Sequence, residues 1–278
     1  MKKLSLLFIP CLLLTGCSSD EANYITSVSD GNKEAIKITD LSITNDDIYH
    51  YLLENYGTNT LVTEVLNNIS EKEITDQKVI DEKVKKTLEE YATYTDTPIE
   101  EYAKEQGYET VEEYSNEIVL PNVLRTLLNE KYVSDNLKDI EKNYHPKYLK
   151  TVSFDTESDA LKAIESIESE ADFEKVYNEK SGKDNGLVTK DSSIDENIIK
   201  ELTSFEEKSL YSKAIKTSDG KYTIVFAYES KDEKATYIEK LSGISNIVID
   251  CEAHFLDAYE FNIYEPEIKT EVENLTKK

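Results

Sequence analysis

Histidine is scarce in this chain, and its three copies, His50, His145 and His254, stand far apart. None forms the His-x-x-x-His spacing that would hold a metal on one helical face, so no metal is expected. Cysteine is as scarce: Cys11 and Cys17 lie close to the N-terminus, and Cys251 is the only other. The setting of Cys251, after Ile247-Val248-Ile249-Asp250, is that of a buried structural thiol. No glycine-rich phosphate loop and no Gly-x-Ser-x-Gly elbow is present, and no cofactor is expected. With only eight Gly and five Pro, long helices run with few interruptions. Basic residues are also few, 32 Lys and Arg against 57 Asp and Glu, for a net charge of −25. Such a surface repels nucleic acid and anionic lipid, which excludes both as partners of the folded surface. Acidic pairs are so common that none stands out as a catalytic pair, and a solvated acidic face accounts for them.

What the chain does have begins at Met1. Lys2 and Lys3 precede a nearly unbroken apolar stretch, Leu4 to Leu14, and then Thr15-Gly16-Cys17. Crossing ~30 Å of hydrocarbon takes about 20 apolar residues, so this stretch reads as the apolar region of an export signal over residues 1–16. Cysteine after Leu14-Thr15-Gly16 resembles the lipobox of bacterial lipoproteins. That resemblance implies cleavage before Cys17, a diacylglycerol on its thiol, and a lipid anchor at the outer face of the cell membrane. An ordinary signal peptide with a chance cysteine is the alternative. In the lipidated form Cys251 has no thiol partner, so no internal disulfide forms.

An apolar fraction of 38%, with nineteen Tyr and seven Phe, supplies enough surface for a core despite the charge. Residues 17–34 are polar and read as a flexible tether. Ile36-Lys37-Ile38 alternates as a short strand. Thr44 opens a helix bearing Ile48, Tyr51, Leu52 and Tyr56, with Gly57 expected to end it. Thr60 to Asn68 is a second helix, and Val79, Ile80, Val84, Leu88 and Tyr91 mark a third. Thr97-Pro98-Ile99-Glu100 and Thr110-Val111-Glu112-Glu113 both read as capping boxes, since a threonine hydroxyl can accept the third residue's N–H while the glutamate reaches back. Pro121 is expected to kink the second of these helices. From Tyr148 the pattern changes to strand (148–154), helix (157–168), helix (from 171), strand (186–189), helix (194–202) and strand (222–228), a mixed unit of about eighty residues. A helix resumes from Lys234 to Tyr259, and Phe261 to Glu267 reads as extended. The fold class is therefore α+β: a mainly helical domain over 35–147, completed by 229–278, with a small mixed unit at 148–228 inserted in it.

Several stretches, in this order, resemble the PrsA-type foldase lipoproteins of Gram-positive bacteria, relatives of the chaperone SurA. They are Ile43-Thr44-Asn45-Asp46-Asp47-Ile48-Tyr49 with Asn55-Tyr56-Gly57; Ser158-Asp159-Ala160; Ala171-Asp172-Phe173 through Ser181 and Gly186; and Lys216-Thr217-Ser218-Asp219-Gly220-Lys221-Tyr222 before Thr223-Ile224-Val225. Phe261-Asn262-Ile263 in the tail matches as well. The resemblance implies a helical chaperone domain with an inserted parvulin-like prolyl isomerase domain. Active parvulins carry one histidine in the first strand and one in the last, and here Thr151 and Thr223 fall at those positions. The usual Gly-Gly is reduced to Asn185-Gly186.

Rotation about an X–Pro bond meets a barrier of ~18–20 kcal/mol and needs no covalent chemistry, so two hydroxyls do not exclude catalysis. Threonine nevertheless cannot replace a facing pair of rings, and β-propensity alone explains both positions. The leading expectation is an anchored chaperone of unfolded or partly folded secreted proteins, with weak or absent isomerase activity and a homodimer left open. Tyr51, Tyr91, Tyr94, Tyr102, Tyr108 and Tyr114 are its candidate contacts, each also readable as a packing residue. An active peptidyl-prolyl isomerase is the first alternative, and a binding lipoprotein (solute receptor or adhesin) the second.

Overall fold

The computed structural model describes residues 30–38 and 41–259, together with the single position Lys269. The export segment, Cys17, most of the expected tether and the extended stretch expected at 261–267 lie outside the described residues. The chain divides into two compact units, Met1–Thr60 with Phe261–Lys278, and Leu61–Glu260.

In the first unit, β1 (Glu34–Ile38) pairs antiparallel with β2 (Leu41–Thr44), Lys37 standing opposite Ser42. Thr44 then caps α1 (Asn45–Leu52): its hydroxyl accepts the Asp47 N–H at 3.2 Å, while the Asp47 carboxylate accepts from the Thr44 N–H and hydroxyl at 2.8 Å. These hydrogen bonds, led by the backbone one, hold the Asp47 carboxyl below the usual carboxylate range. Gly57 does not end the helix as expected. It closes a π-helical turn, Leu53–Gly57, after which the chain continues as α2 (Thr58–Glu73). Asn55 Nδ2 donates to the Tyr51 carbonyl at 2.7 Å and the Thr60 hydroxyl to the Tyr56 carbonyl at 3.0 Å. Side chains thus partner one carbonyl before the wide turn and one within it, and the glycine is not needed as a stop.

The second unit opens with helices. Asp76 caps α3 (Gln77–Thr95) through the N–H groups of Lys78 and Val79. The cap expected from Thr97 is not made. Its N–H goes back to the Ala92 carbonyl and its hydroxyl to that of Thr95, so Thr97 finishes α3, and α4 (Ile99–Glu105) begins after Pro98 without a side-chain cap. Gly107, at φ +93°, lets Tyr108 N–H return to the Ala103 carbonyl at 3.0 Å and close α4. The second box forms in its first half: Thr110 accepts from Glu113 N–H at 3.0 Å, but the Glu113 carboxylate takes the Glu109 N–H, one residue before the threonine amide expected. It starts α5 (Val111–Tyr114), which runs through a π-helical turn, Ser115–Val119, into α6 (Leu120–Asp135). Pro121 sits at the start of α6, and the Leu120 N–H reaches back to the Ser115 carbonyl. The wider turn makes room where a proline ring crowds the preceding carbonyls, so the disturbance expected of Pro121 takes the form of a π turn. Ile80, Ala103, Tyr114, Val119, Val123 and Leu124 form the core among these helices.

α7 (Leu137–Tyr144) leads into the mixed region. Its elements are β3 (Lys147–Phe154), α8 (Glu157–Ser166), α9 (Glu170–Glu179), β4 (Lys183–Val188), α10 (Glu196–Lys200), a 3-10 turn at Leu202–Ser204, β5 (Ser209–Leu210), β6 (Ile215–Lys216) and β7 (Tyr222–Tyr228). The sheet is antiparallel in the order β4-β3-β7-β5, with β6 also on β7. Because side chains alternate along a strand, each face of this sheet has its own core. Leu149, Val225 and Ala227 join Val188, Ile198, Leu202 and Phe205 on one side. Val152, Phe154, Ile224 and Phe226 join Ala160 and Phe173 on the other.

The long helix expected from Lys234 to Tyr259 is two, α11 (Lys234–Ser242) and α12 (Ser245–Ala258). Extended backbone at Ile244 (φ −79°, ψ 123°) makes the break. With that break, Leu241 and Ile247 enter one core with Val133, Ile140 and Tyr144. Farther along α12, Cys251 and Phe255 pack on Ile69 and Leu128. Burial pushes the Cys251 thiol up to about 12, so it is an inert core group.

Candidate functional site

The positions flagged by sequence, Thr151 and Thr223, lie on adjacent strands and on the same sheet face. They are not opposite each other. The register sets Thr151 against Val225 and Ser153 against Thr223. Thr223 is 2% exposed and Thr151 8%, and both hydroxyls are committed. Ser153 Oγ and Thr223 Oγ1 share a hydrogen bond of 2.9 Å. Thr151 Oγ1 accepts from Asn185 Nδ2 at 3.0 Å and donates to the Lys183 carbonyl at 3.3 Å.

Asn185 can reach Thr151 because β4 bulges there. The register slips between Leu149 and Lys150, Gly186 takes φ +61°, and the Asp184 carboxylate accepts the Gly186 N–H at 2.9 Å. A side chain at φ +61° would be strained, which accounts for glycine at the second of these two positions.

The result is a short line of neutral polar groups, Asn185, Thr151, Ser153 and Thr223, bordering the apolar side built on Leu149 and Val225. It offers hydrogen bonds and no proton-transfer pair. An activated hydroxyl nucleophile needs a base within hydrogen-bond reach, and the groups bonded to these hydroxyls are another hydroxyl, an amide and a carbonyl. Farther along the same side, Phe205 packs edge-on against Tyr211 at 5.0 Å, and the Tyr211 hydroxyl is bonded to the Glu201 carboxylate. That bond, with burial, raises the Tyr211 hydroxyl to about 12, so it stays protonated. Replacing Thr223 by valine keeps the shape of the strand and deletes one hydroxyl. The expected loss is about 1 kcal/mol of stability, read as a lowered urea midpoint at unchanged slope.

The tyrosines divide. Tyr91, Tyr102, Tyr114 and Tyr108 form a chain of rings with successive centroid separations of 6.3, 5.9 and 5.3 Å, inside or against the helical core. Burial lifts the Tyr114 hydroxyl to about 12. Tyr51 and Tyr94 remain open, at 59% and 92% exposure. Of the six tyrosines taken as candidate contacts, then, four are packing residues in this fold.

Solved structures with a likeness to this chain include a peptidylprolyl isomerase (PrsA) from Bacillus cereus. It is 20% identical at a TM-score of 0.45, over 90% of this chain and 100% of that one. PrsA from Bacillus subtilis follows at 16% identity and TM-score 0.41, covering 88% and 99% of the two chains. The foldase protein PrsA from Streptococcus pneumoniae is 16% identical at TM-score 0.36, covering 86% and 98%. The chain is similar to PrsA foldases. No protein-family model and no curated protein matches it. At these identities the PrsA likeness assigns no role to any residue here, and what Thr151 and Thr223 do rests on their own hydrogen bonds.

Sequence reasoning did not single out Ser153, which becomes the partner of Thr223. Its signal was the even spacing Thr151, Ser153, which puts both on one side of a strand. It also did not bring together Tyr148, Tyr228 and Tyr237. Their ring centroids lie 5.6 and 6.4 Å from Tyr148, although Tyr237 is on a helix far along the chain.

Proposed function

We propose that this protein is an extracytoplasmic chaperone that holds loosely folded secreted chains, anchored to the membrane by lipid on Cys17, with little or no prolyl isomerase activity. The observation that carries the chaperone reading is the apolar surface of residues 36–56. Ile36, Leu41, Tyr51, Leu52 and Tyr56 are between 48% and 60% exposed within this one short stretch. Folded proteins leave single apolar residues open as a matter of course, but a concentration of large ones marks a surface that meets other molecules. Tyrosine and leucine offer broad contact without a fixed partner geometry, and such surfaces suit many clients at low affinity. The net charge of −25 around them keeps a loaded complex soluble.

Low isomerase activity is supported by the sheet face. Twisting a prolyl amide is favoured by donors aimed at the twisted form and held ready for it. Thr151, Ser153 and Thr223 spend their hydroxyls on one another and on the strand backbone instead.

The test is refolding of an aggregation-prone secreted protein with and without the full chain. Light scattering is expected to fall as the chain is added in excess, and unchanged scattering overturns the reading. Tyr51→Gln, Leu52→Gln and Tyr56→Gln together keep helix-forming residues on the surface and remove the apolar contacts. That triple variant is expected to suppress aggregation severalfold less well, at an unchanged melting midpoint. In a prolyl-peptide assay the chain is expected to leave the uncatalysed rate unchanged. A strong acceleration establishes the active isomerase instead.

A further inference from the structure

An ammonium group already occupies a binding site in this protein, and it belongs to the protein itself. Lys240 Nζ lies 2.6 Å from the Asp232 carboxylate and 5.3 Å from the centre of the Tyr148 ring, over its face. The Tyr148 hydroxyl donates to the same Asp232 carboxylate. Ring face and carboxylate therefore converge on one cation, the arrangement that attracts lysine, arginine and quaternary ammonium groups. The Lys240 side chain is 45% exposed, against 21% for Asp232, so the carboxylate is built in and the cation is not.

The surroundings extend the site. Tyr148, Tyr228 and Tyr237 line a cleft of about 410 Å³ together with Pro146, Leu137 and Ala227. Each of the three tyrosines has its hydroxyl on a carboxylate: Tyr148 on Asp232, Tyr228 on Asp184 at 3.0 Å, and Tyr237 on Glu141 at 3.3 Å. Those bonds tie each ring to a carboxylate, and two of the carboxylates, Asp232 and Glu141, line the cleft themselves. Burial is the largest cause that raises all three hydroxyls above their ordinary values. Glu207 and Glu229 also line the cleft, with Lys147 4.0 Å from the first and Lys208 2.5 Å from the second, and Lys234 lines it as well. A second lysine repeats the motif next door: Lys150 lies 5.4 Å from the Tyr228 ring centre with its ammonium on Glu174.

We propose that this cleft receives a lysine or arginine side chain of an extended basic peptide, and that Lys240, which reaches Asp232 and Tyr148 from beside the cleft lining, is a built-in competitor for those two groups. The inference deepens the chaperone reading, on which it rests for the nature of the ligand, and names the client feature that this part of the molecule selects. An incoming guanidinium replaces the Lys240 ammonium at Asp232 and lies on Tyr148, while Tyr237 and Tyr228 flank its alkyl stem. The displaced lysine, half-exposed already, swings into water.

The experiment uses the full chain and a peptide of alternating glycine and arginine, with calorimetry reading the Kd. The comparison peptide carries citrulline for arginine, the same shape without the charge. The arginine peptide is expected to bind about tenfold or more tightly than its citrulline counterpart. Lys240→Met is expected to tighten arginine-peptide binding about tenfold, because the competitor is gone. Lys162→Met, which removes an exposed lysine outside the cleft, is expected to leave it unchanged. Tyr148→Leu with Tyr237→Leu is expected to weaken it about tenfold. Equal binding of the two peptides overturns the proposal. So does tightening by Lys162→Met as large as that by Lys240→Met, since net charge alone would then explain the effect. The same preparations are run in the aggregation assay. Suppressed aggregation with no discrimination between peptides removes the cleft and leaves the chaperone reading; discrimination with no suppression does the reverse.

Discussion

Truncation of Phe173 to alanine is expected to cost about 3–5 kcal/mol, a large part of the about 5–15 kcal/mol that holds a typical domain folded. Phe173 is 0% exposed and stacks on Phe226, centroids 4.8 Å apart and planes 22° apart. Tyr177 lies 6.1 Å away, and Val152, Phe154, Ala160 and Ile224 complete the cluster. Phe173 comes from α9 and Phe226 from the central strand of the sheet, so the gap left by the ring can close only if a helix moves toward a strand bonded on both sides. Such sites collapse poorly, which puts the loss in the upper half of its range. Phe173→Leu fills most of the space and is expected to cost much less. Urea unfolding followed by circular dichroism measures both. A loss under about 1 kcal/mol for the alanine variant would show that α9 is not seated on the sheet in this way.

Local signals in the sequence were reliable where one short stretch decides its own conformation. Tyr222 to Tyr228, bounded by the Ser218–Lys221 turn, is the strand it reads as, and Thr110 caps its helix through the Glu113 N–H. The same reasoning failed at Thr97, whose hydroxyl and N–H are claimed by the end of the preceding helix. It failed at Gly57 because a glycine can also sit in a π-helical turn that neighbouring side chains support. α7 carries so much charge that its apolar face, Ile140 and Tyr144, was missed. β5 and β6 are two residues each and form where β7 presents the one edge that β3 leaves free. The α+β class was therefore readable, since it rests on the periodic segments and the mixed region. The site was half readable. Thr151 and Thr223 could be named from position, but the one-residue slip at the β4 bulge decides that the Asn185 side chain meets Thr151 beside the Lys183 carbonyl. The cleft around Tyr148 was not readable at all, because Tyr237 and Asp232 reach it from a segment more than eighty residues later in the chain, as the Tyr148–Asp232 separation of 84 shows.

Replacing Cys17 by serine is expected to abolish lipid attachment altogether. The thiol is the only group at that position able to form the thioether, and a hydroxyl is far less nucleophilic than a thiolate at neutral pH. One acyl chain gives only marginal membrane binding, with a partition constant of about 10⁴ M⁻¹, whereas the two chains of a diacylglycerol make attachment stable. That difference matters for this protein in particular. Its net charge of −25 is repelled by an anionic leaflet, so the folded chain as a whole adds no general electrostatic attachment. Attachment rests on the lipid. The measurement is incorporation of labelled fatty acid in the producing cell, with the N-terminus of the processed chain read by mass spectrometry. The unaltered protein is expected to carry label and to begin at Cys17, and Cys17→Ser to carry none. Cys11→Ser and Cys251→Ser are expected to label normally, the first lying in the segment expected to be removed on export and the second buried in a helical core. Label persisting on Cys17→Ser, or mature protein starting at another residue, removes the proposed anchor and with it the placing of this protein at a membrane surface.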